Sequence, residues 1–359
     1  MRVCITGGGI AGTLLAWRLA RRSDVEHVEL LLGEAGATDA TGLSGGVVRA
    51  YERHPEGRRL AVDSLDELLS SRVLRAWAGY CETGALYLRP DDPALAGELA
   101  EIDARVPGSA RVATRDELSG DGWAGLPGAT VAVVERRAGH VNPSRLRTAL
   151  LADLTARPNV RVVRAAAGAV LVRADGTVTA TTAGRSRPCD VAVLAAGAWT
   201  PGVLHASGLP SAGLRTKSIQ CATYAVRGRR PLPFADETSG LYGRPLAGGR
   251  LLLGLATEEW DVAPGRRAPT QALHAAAARL ARERMPWLRL GNAVTTVNAT
   301  DCYCDPPVLA LRPVAGEHGP IWTFTGGSGG SVKTALAASK EAAAQLLRTR
   351  LPQPSTHGE

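Results

Sequence analysis

The first apolar run of the chain, residues 2–6 (RVCIT), is short and stops at the glycine-rich stretch Gly7–Gly12, which predicts a strand closing in a tight turn. Apolar positions then recur at helical spacing over Thr13–Arg22, and a second apolar run at Val28–Leu32 completes a strand-helix-strand unit. Leu60, Leu65, Leu68, Leu69 and Leu74 hold a helical period across Arg58–Trp77. Residues 84–135 break into short apolar runs between Gly and Pro, the pattern of strands and turns. A helical period returns over Pro143–Arg157, with Asn142 placed to cap it and Pro143 at its first position. Strand patterns follow at Val160–Arg164, Ala169–Thr182 and Val191–Ala195. Residues 214–304 alternate strand-like stretches (Gln220–Val226, Arg250–Leu255, Ala293–Ala299) with one helix near 270–284. Ile321 opens a strand, a Gly/Ser loop at 326–331 follows, and a helix runs to about Arg348 before a tail expected to be disordered after Pro352.

This order describes an α/β unit that is left for a lobe, resumed, left again and completed near the end of the chain. The 359 residues are 45% hydrophobic and 21% charged, a balance that buries a core and suits about two domains. No run approaches a membrane span and the N-terminus lacks a signal-peptide layout, so a cytoplasmic protein is expected. Six cysteines (Cys4, Cys81, Cys189, Cys221, Cys302, Cys304) are too sparse for a disulfide framework, so reduced thiols are expected. Cys302-x-Cys304 lacks the further Cys or His neighbours of a closed zinc site, and no metal is expected. The net charge is +8, and of the 42 basic residues only Lys217, Lys333 and Lys340 are lysines. The arginines are spread over helical faces such as Ala11–Arg22 and Gln271–Arg284. That spread reads as solvated surface, not as a nucleic-acid face.

The hexapeptide at 7–12 fits G-x-G-x-x-G and stands between a strand and a helix, where the mechanism requires it. Gly7 serves the tight turn, Gly9 lets backbone approach a pyrophosphate, and Gly12 permits close helix packing. The N–H groups that open the helix at Ile10 and Ala11 favour an anionic phosphate. An acid after the second strand would hold ribose hydroxyls. Glu34 is the candidate, one or two positions late, with an ordinary loop glutamate as the alternative reading.

Six blocks are similar, in order and over almost the whole chain, to the D-amino-acid oxidase superfamily of FAD enzymes, and within it to the monomeric sarcosine oxidase branch. They are GGGIAG at 7–12, SGGVVRAYE at 44–52, HVNPSRLRTALL at 140–151, VAVLAAGAWT at 191–200, GLYGRP at 240–245 and GGSGGSVKTA at 326–335. The resemblance implies a Rossmann-like FAD-binding domain of the glutathione-reductase type, made of 1–80, 140–213 and 305–350. A substrate domain on an antiparallel sheet would be inserted as 81–139 and 214–304, with 351–359 as tail. FAD would lie against the 7–12 loop, against Ser44, Gly45 and Gly46, and against Ala196 and Gly197 with Trp199 packed behind. Its pyrimidine edge would meet Gly327, Gly329, Gly330, Ser331 and Lys333, where Ser331 replaces a frequent glycine.

On the substrate side the resemblance makes Arg49 and Lys333 a carboxylate clamp, with Tyr242 lining the cavity and Arg244 two residues further along the same strand face. It implies an amino or imino acid substrate, hydride transfer to flavin N5, an imine product, a monomer, and oxygen as acceptor with hydrogen peroxide formed. Two departures stand against the branch. The lysine that promotes reaction with oxygen, expected about ten residues after Tyr242, is absent from Arg250-Leu251-Leu252-Leu253-Gly254 and its place is taken by Leu, which keeps open a dehydrogenase that passes electrons to a carrier. Cys302 is the better placed of the two late cysteines for covalent attachment to FAD, but the basic residue that assists attachment is Gly46 here. An FAD-dependent hydroxylase or halogenase, which would need a G-D motif not found near 300–335, and a flavin-binding protein without turnover are the remaining alternatives.

Overall fold

A computed structural model describes residues 1–34, 39–173, 176–182, 185–265, 270–314, 316 and 319–350. The expected tail at 351–359 lies outside them. The chain divides into two compact units. Unit 1 is Met1–Ala37, Ser144–Arg215 and Cys302–Glu359; unit 2 is Thr38–Pro143 and Thr216–Asp301. The division departs from the expected one in a single large segment, because residues 38–80 belong with unit 2. Their anchors explain it. The backbone N–H groups of Ala50 and Tyr51 donate to the buried Glu135 carboxylate at 2.7 and 2.8 Å. Val62 and Leu65 share a buried cluster with Leu95, Ile102, Val131 and Val133.

In unit 1 a six-stranded sheet runs, by strand, Ala310–Pro313, Ile321–Thr325, Val191–Leu194, Arg2–Thr6, His27–Leu31, Val160–Val163. All neighbours are parallel except the Ala310–Pro313 edge. Val191–Leu194 and Ile321–Thr325 are buried at every position, as a sheet covered on both faces demands; the first is wholly apolar and the second sets two buried threonines among apolar residues. The Ile10–Leu19 helix starts three residues before its apolar period, because Gly9 already has the extended conformation of a cap. It packs along the Ser331–Arg350 helix, where Arg18 donates to the Leu336 carbonyl at 3.2 Å. The span 169–189 forms an antiparallel meander, Ala169–Val172, Val178–Thr182 and Arg185–Cys189, beside the Thr200–Ala206 helix.

Unit 2 is built on an eight-stranded sheet. Its order is Arg289–Tyr303, Arg215–Arg227, Arg250–Leu255, Leu241–Leu246, Phe234–Asp236, Ala85–Pro90, Thr130–Glu135, Ala110–Ala113. It is mixed where an antiparallel sheet is expected, since Phe234–Asp236 pairs in parallel with Ala85–Pro90. The Gln271–Arg284 helix covers one face, and Leu88, Tyr224, Phe234, Leu241, Leu251, Leu253 and Ala281 form the core beneath it. Two short helices, Leu95–Asp103 and Arg115–Gly120, interrupt the strands of 84–135; the second carries a Thr114/Glu117 capping box that the strand-and-turn reading passes over. The Arg58–Trp77 period is two helices, Pro55–Ser70 and Arg72–Ala78, because the Ser71 hydroxyl accepts the Leu74 N–H and caps the second.

Charge is buried beneath the sheet as well. Asp236, 1% exposed, accepts from Arg284 Nε at 2.9 Å, from the Thr238 N–H and hydroxyl, and from the Ser239 hydroxyl. Removing one partner of such a buried pair strands the other. Asp236→Ala is therefore expected to lower unfolding free energy by about 3–5 kcal/mol, measured by denaturant titration. Asp236→Asn, which keeps the shape and part of the hydrogen bonding, should lose less.

Candidate functional site

The carboxyl edge of the unit 1 sheet gathers the glycine motifs. The Arg2–Thr6 strand runs into Gly7, its neighbour Val191–Leu194 into Ala196 and Gly197, and Ile321–Thr325 into Gly326 and Gly327. Between the first two of these the strand order reverses direction, the place where open α/β sheets form a ligand crevice. Gly7 has φ +114°, and a Cβ there would stand 2.3 Å from the Ala195 carbonyl oxygen. A Cβ at Gly12 would stand 2.1 Å from the Gly7 oxygen. No side chain fits at either position, so bare backbone lines the turn and the N–H groups that open the Ile10 helix are presented to it. This cradle fits the pyrophosphate of FAD, with Gly9, Ile10 and Ala11 supplying the helix opening. Glu34 is exposed, three residues beyond the end of the His27–Leu31 strand. Ala196 caps a short turn at Gly197–Trp199 that leads into the Thr200–Ala206 helix. Trp199 is 36% exposed.

The final loop forms a second backbone wall. Ser328–Gly330 is a single 3-10 turn, Ser331 opens the last helix, and the Ser331 hydroxyl donates to the Ser328 carbonyl at 2.9 Å. Lys333 folds back over this turn, with its Nζ 2.8 Å from where a Gly330 Cβ would stand; Gly329 is exposed. Gly327 pairs with Tyr303, and the Cys304 N–H donates to the Gly326 oxygen. Cys304 therefore runs along the loop, whereas Cys302 is 6% exposed inside the apolar cluster of Cys4, Leu194 and Ile321. Cys304, two residues further on, packs against the same cluster but is only partly buried, so it is the more accessible of the two thiols.

In unit 2 the sheet face opposite the Gln271–Arg284 helix collects the other expected residues. Register places Tyr87, Ala235 and Tyr242 side by side, then Tyr242 beside Gly254 and Cys221, and Arg244 beside Leu252 and Thr223. The Tyr242 ring lies over Gly254, where a Cβ would come within 2.2 Å of it, and its hydroxyl donates to the Gln220 carbonyl at 3.2 Å. Arg49 is 8% exposed and stacks 4.5 Å above the Tyr87 ring, paired with Glu52 at 2.7 Å and donating to the Tyr51 carbonyl. Arg250 is exposed and donates to the Ala247 carbonyl, and Leu252 stands opposite Arg244 on the same face. The Ser44 hydroxyl accepts the Gly46 N–H at 3.0 Å. The Gly46 carbonyl accepts the Val141 N–H, which closes a small sheet of Val47–Val48, Gly139–His140 and Cys81–Glu82. Ser44, Gly45, Gly46 and Arg49 thus lie in unit 2, and Lys333 lies in unit 1.

Three residues of this face escape the sequence reading. Glu135 holds the Arg49–Tyr51 segment by its backbone; burial raises its pKa above the ordinary carboxyl range, against the pull of Arg49. Its signal is a lone acid ending the apolar run TVAVVE. Glu52 balances Arg49, and Tyr87 supports it, neither with a distinguishing motif. No group of acids, histidines and cysteines among the described residues could hold a metal.

Burial first, and the Arg244 charge second, push the His140 pKa below the usual 6.5. A histidine that stays neutral in the fold but charges when unfolded makes stability fall as pH drops through about 6.5. The His140 titration followed by NMR should show a midpoint below that of an exposed histidine, and Arg244→Met should move it up.

The chain matches the family described as "FAD dependent oxidoreductase" (DAO) over residues 2–345. A comparison with curated proteins finds no match. Among solved structures it is similar to glycine oxidase from Bacillus cereus ATCC 14579, at 18% identity and TM-score 0.72, covering 98% of this chain and 96% of that one. It is similar to L-proline dehydrogenase from P. horikoshii, at 17% identity and TM-score 0.80, covering 98% and 94%. NikD, an unusual amino acid oxidase essential for nikkomycin biosynthesis, matches at 17% identity and TM-score 0.75 over 98% and 95%. At these identities the likeness carries the fold, and the match across nearly the whole chain carries the family. The chain belongs to the DAO family of FAD-dependent oxidoreductases.

Proposed function

We propose that this protein oxidises the carbon–nitrogen bond of an amino or imino acid to an imine. The observation that supports it most is the unit 2 face, where two phenols in register, Tyr87 and Tyr242, are accompanied by the buried Arg49 guanidinium stacked on Tyr87 and by the half-buried Arg244 two residues beyond Tyr242. An aromatic floor with fixed cations suits a small molecule bearing a carboxylate beside an apolar carbon. Bound FAD supplies the two-electron acceptor. The glycine turns at 7–12 and 326–330 would hold it by backbone, since Gly7, Gly12, Gly326 and Gly327 leave no room for a side chain. The N–H groups that open the Ser331 helix favour negative charge at its pyrimidine edge. Arg49 and Lys333 are the residues that the resemblance brings to the substrate carboxylate, and Glu52 fixes the orientation of Arg49. With the amine neutral and the carboxylate held, a hydride passed from the carbon next to nitrogen to that acceptor would leave a protonated imine, which gives up its N–H proton to become the imine. The protein's part is orientation and exclusion of water.

Oxygen is the acceptor that the resemblance favours, with peroxide as product. A dehydrogenase is the second reading, and Leu252 supports it, since no lysine stands on that stretch of the sheet face.

The test is the absorption spectrum of the purified holoprotein, followed anaerobically as a panel of amino and imino acids is added and then on admission of air. Bleaching of the blue flavin band by one class is expected, with the rate of recovery in air separating oxidase from dehydrogenase. A band that no amine bleaches would move the reading to a hydroxylase or halogenase, or to flavin binding without turnover.

A further inference from the structure

The two guanidinium groups on the unit 2 face have different surroundings. Arg49 is balanced by Glu52 and by the Tyr51 carbonyl. Arg244 has no such balance: among the described residues no carboxylate pairs with it, and its buried Nε lacks a hydrogen-bond partner. The groups that sense its charge are the His140 imidazole and the Cys81 thiol, neither of them an ordinary anion. Burial pulls the Arg244 pKa below the usual arginine value, yet a guanidinium does not give up its proton in a protein. A half-buried guanidinium that cannot neutralise itself, and whose Nε is shut away from water without a hydrogen-bond partner, favours an anion from outside the chain.

Position indicates which anion. Arg244 follows Tyr242 by two residues on the same strand face, opposite Leu252, while Arg49 rests on Tyr87 two strands away. Strand spacing and rise put those two sheet positions roughly 12 Å apart. With a guanidinium reaching inward from each, that span suits two carboxylates joined by a few carbons, and it is too long for one carboxylate to bridge.

We propose that Arg244, with His140 close by, is a subsite for a second acidic group of the substrate, distinct from the carboxylate assigned to Arg49, so that the substrate is a dicarboxylic amino or imino acid. This rests on the amino-acid reading above. The neutral His140 imidazole offers an N–H donor beside the guanidinium, and Tyr242 walls the path between the two cations. The sequence placed Arg244 on this face. Its missing partner is what the structure adds.

The experiment is calorimetric titration of the holoprotein with glutarate and with its monoamide, glutaramate, neither of which carries an amine to oxidise. Wild type should bind glutarate at least tenfold more tightly. Arg244→Met should bring the two within twofold by weakening glutarate alone, and Arg244→Lys, which keeps the charge, should retain part of the preference. A wild type without preference, or an Arg244→Met variant that keeps it, overturns the proposal. If Arg244→Met does not fold, Arg244→Gln takes its place. Flavin bleaching by acidic and neutral amino acids is read separately. Glutarate preference without bleaching by any amino acid would leave the subsite standing and remove the amino-acid reading; bleaching without the preference would do the reverse.

Discussion

Where the first strand ends, its backbone passes the end of a parallel neighbour at a distance that admits no side chain. The Gly7 Cα and the Ala195 carbonyl are in that sense a single joint, since a Cβ at Gly7 would stand 2.3 Å from that oxygen. Everything cofactor-related in unit 1 depends on it. The joint sets where the Ile10 helix can start, and the helix start sets where its free N–H groups point. The 196–199 turn leaves from the same place, and the 326–330 loop follows one strand further along. The parallel sheet positions these loops, and the glycines among them leave stretches of backbone that a flat, anionic cofactor can lie against.

Unit 2 solves a different problem, which is how to keep charge in an apolar setting. Glu135 spends both carboxylate oxygens on the N–H groups of Ala50 and Tyr51, and by doing so fixes the segment that carries Arg49. Arg89, 1% exposed, is held by Glu98 and Asp92 in the same part of the unit, and the Tyr51 hydroxyl donates to Glu98 as well. These pairs cost desolvation and return orientation, because a guanidinium with several fixed acceptors has little freedom to swing. Against that background of balanced pairs Arg244 stands apart.

Much of this was legible in the sequence, and what was not has physical causes. The strand-turn-helix at 2–22 and the strand-loop-helix from Ile321 could be read because glycine and apolar periodicity are local signals. The allegiance of residues 38–80 could not, because it is decided by an acceptor 85 positions away from Ala50. Nor could the difference in exposure between Cys302 and Cys304, since both meet one apolar cluster and the difference is decided by what packs over each. Arg244 was one arginine among 39 until the absence of a partner distinguished it. Whether an arginine finds a partner on a distant element leaves no trace in spacing.

The joint at Gly7 also has a history in time. Arg2 is tied by its backbone N–H and its guanidinium to Asp190, 188 residues later in the chain, and the second backbone wall lies between the Ile321–Thr325 strand and the Ser331–Arg350 helix. A chain made from its N-terminus therefore has the glycine turn first and the surfaces that complete it last. Pairings so distant in sequence close slowly. For most of its synthesis the protein has a phosphate-shaped turn with nothing opposite it, and the grip on the cofactor is among the last things that the growing chain acquires.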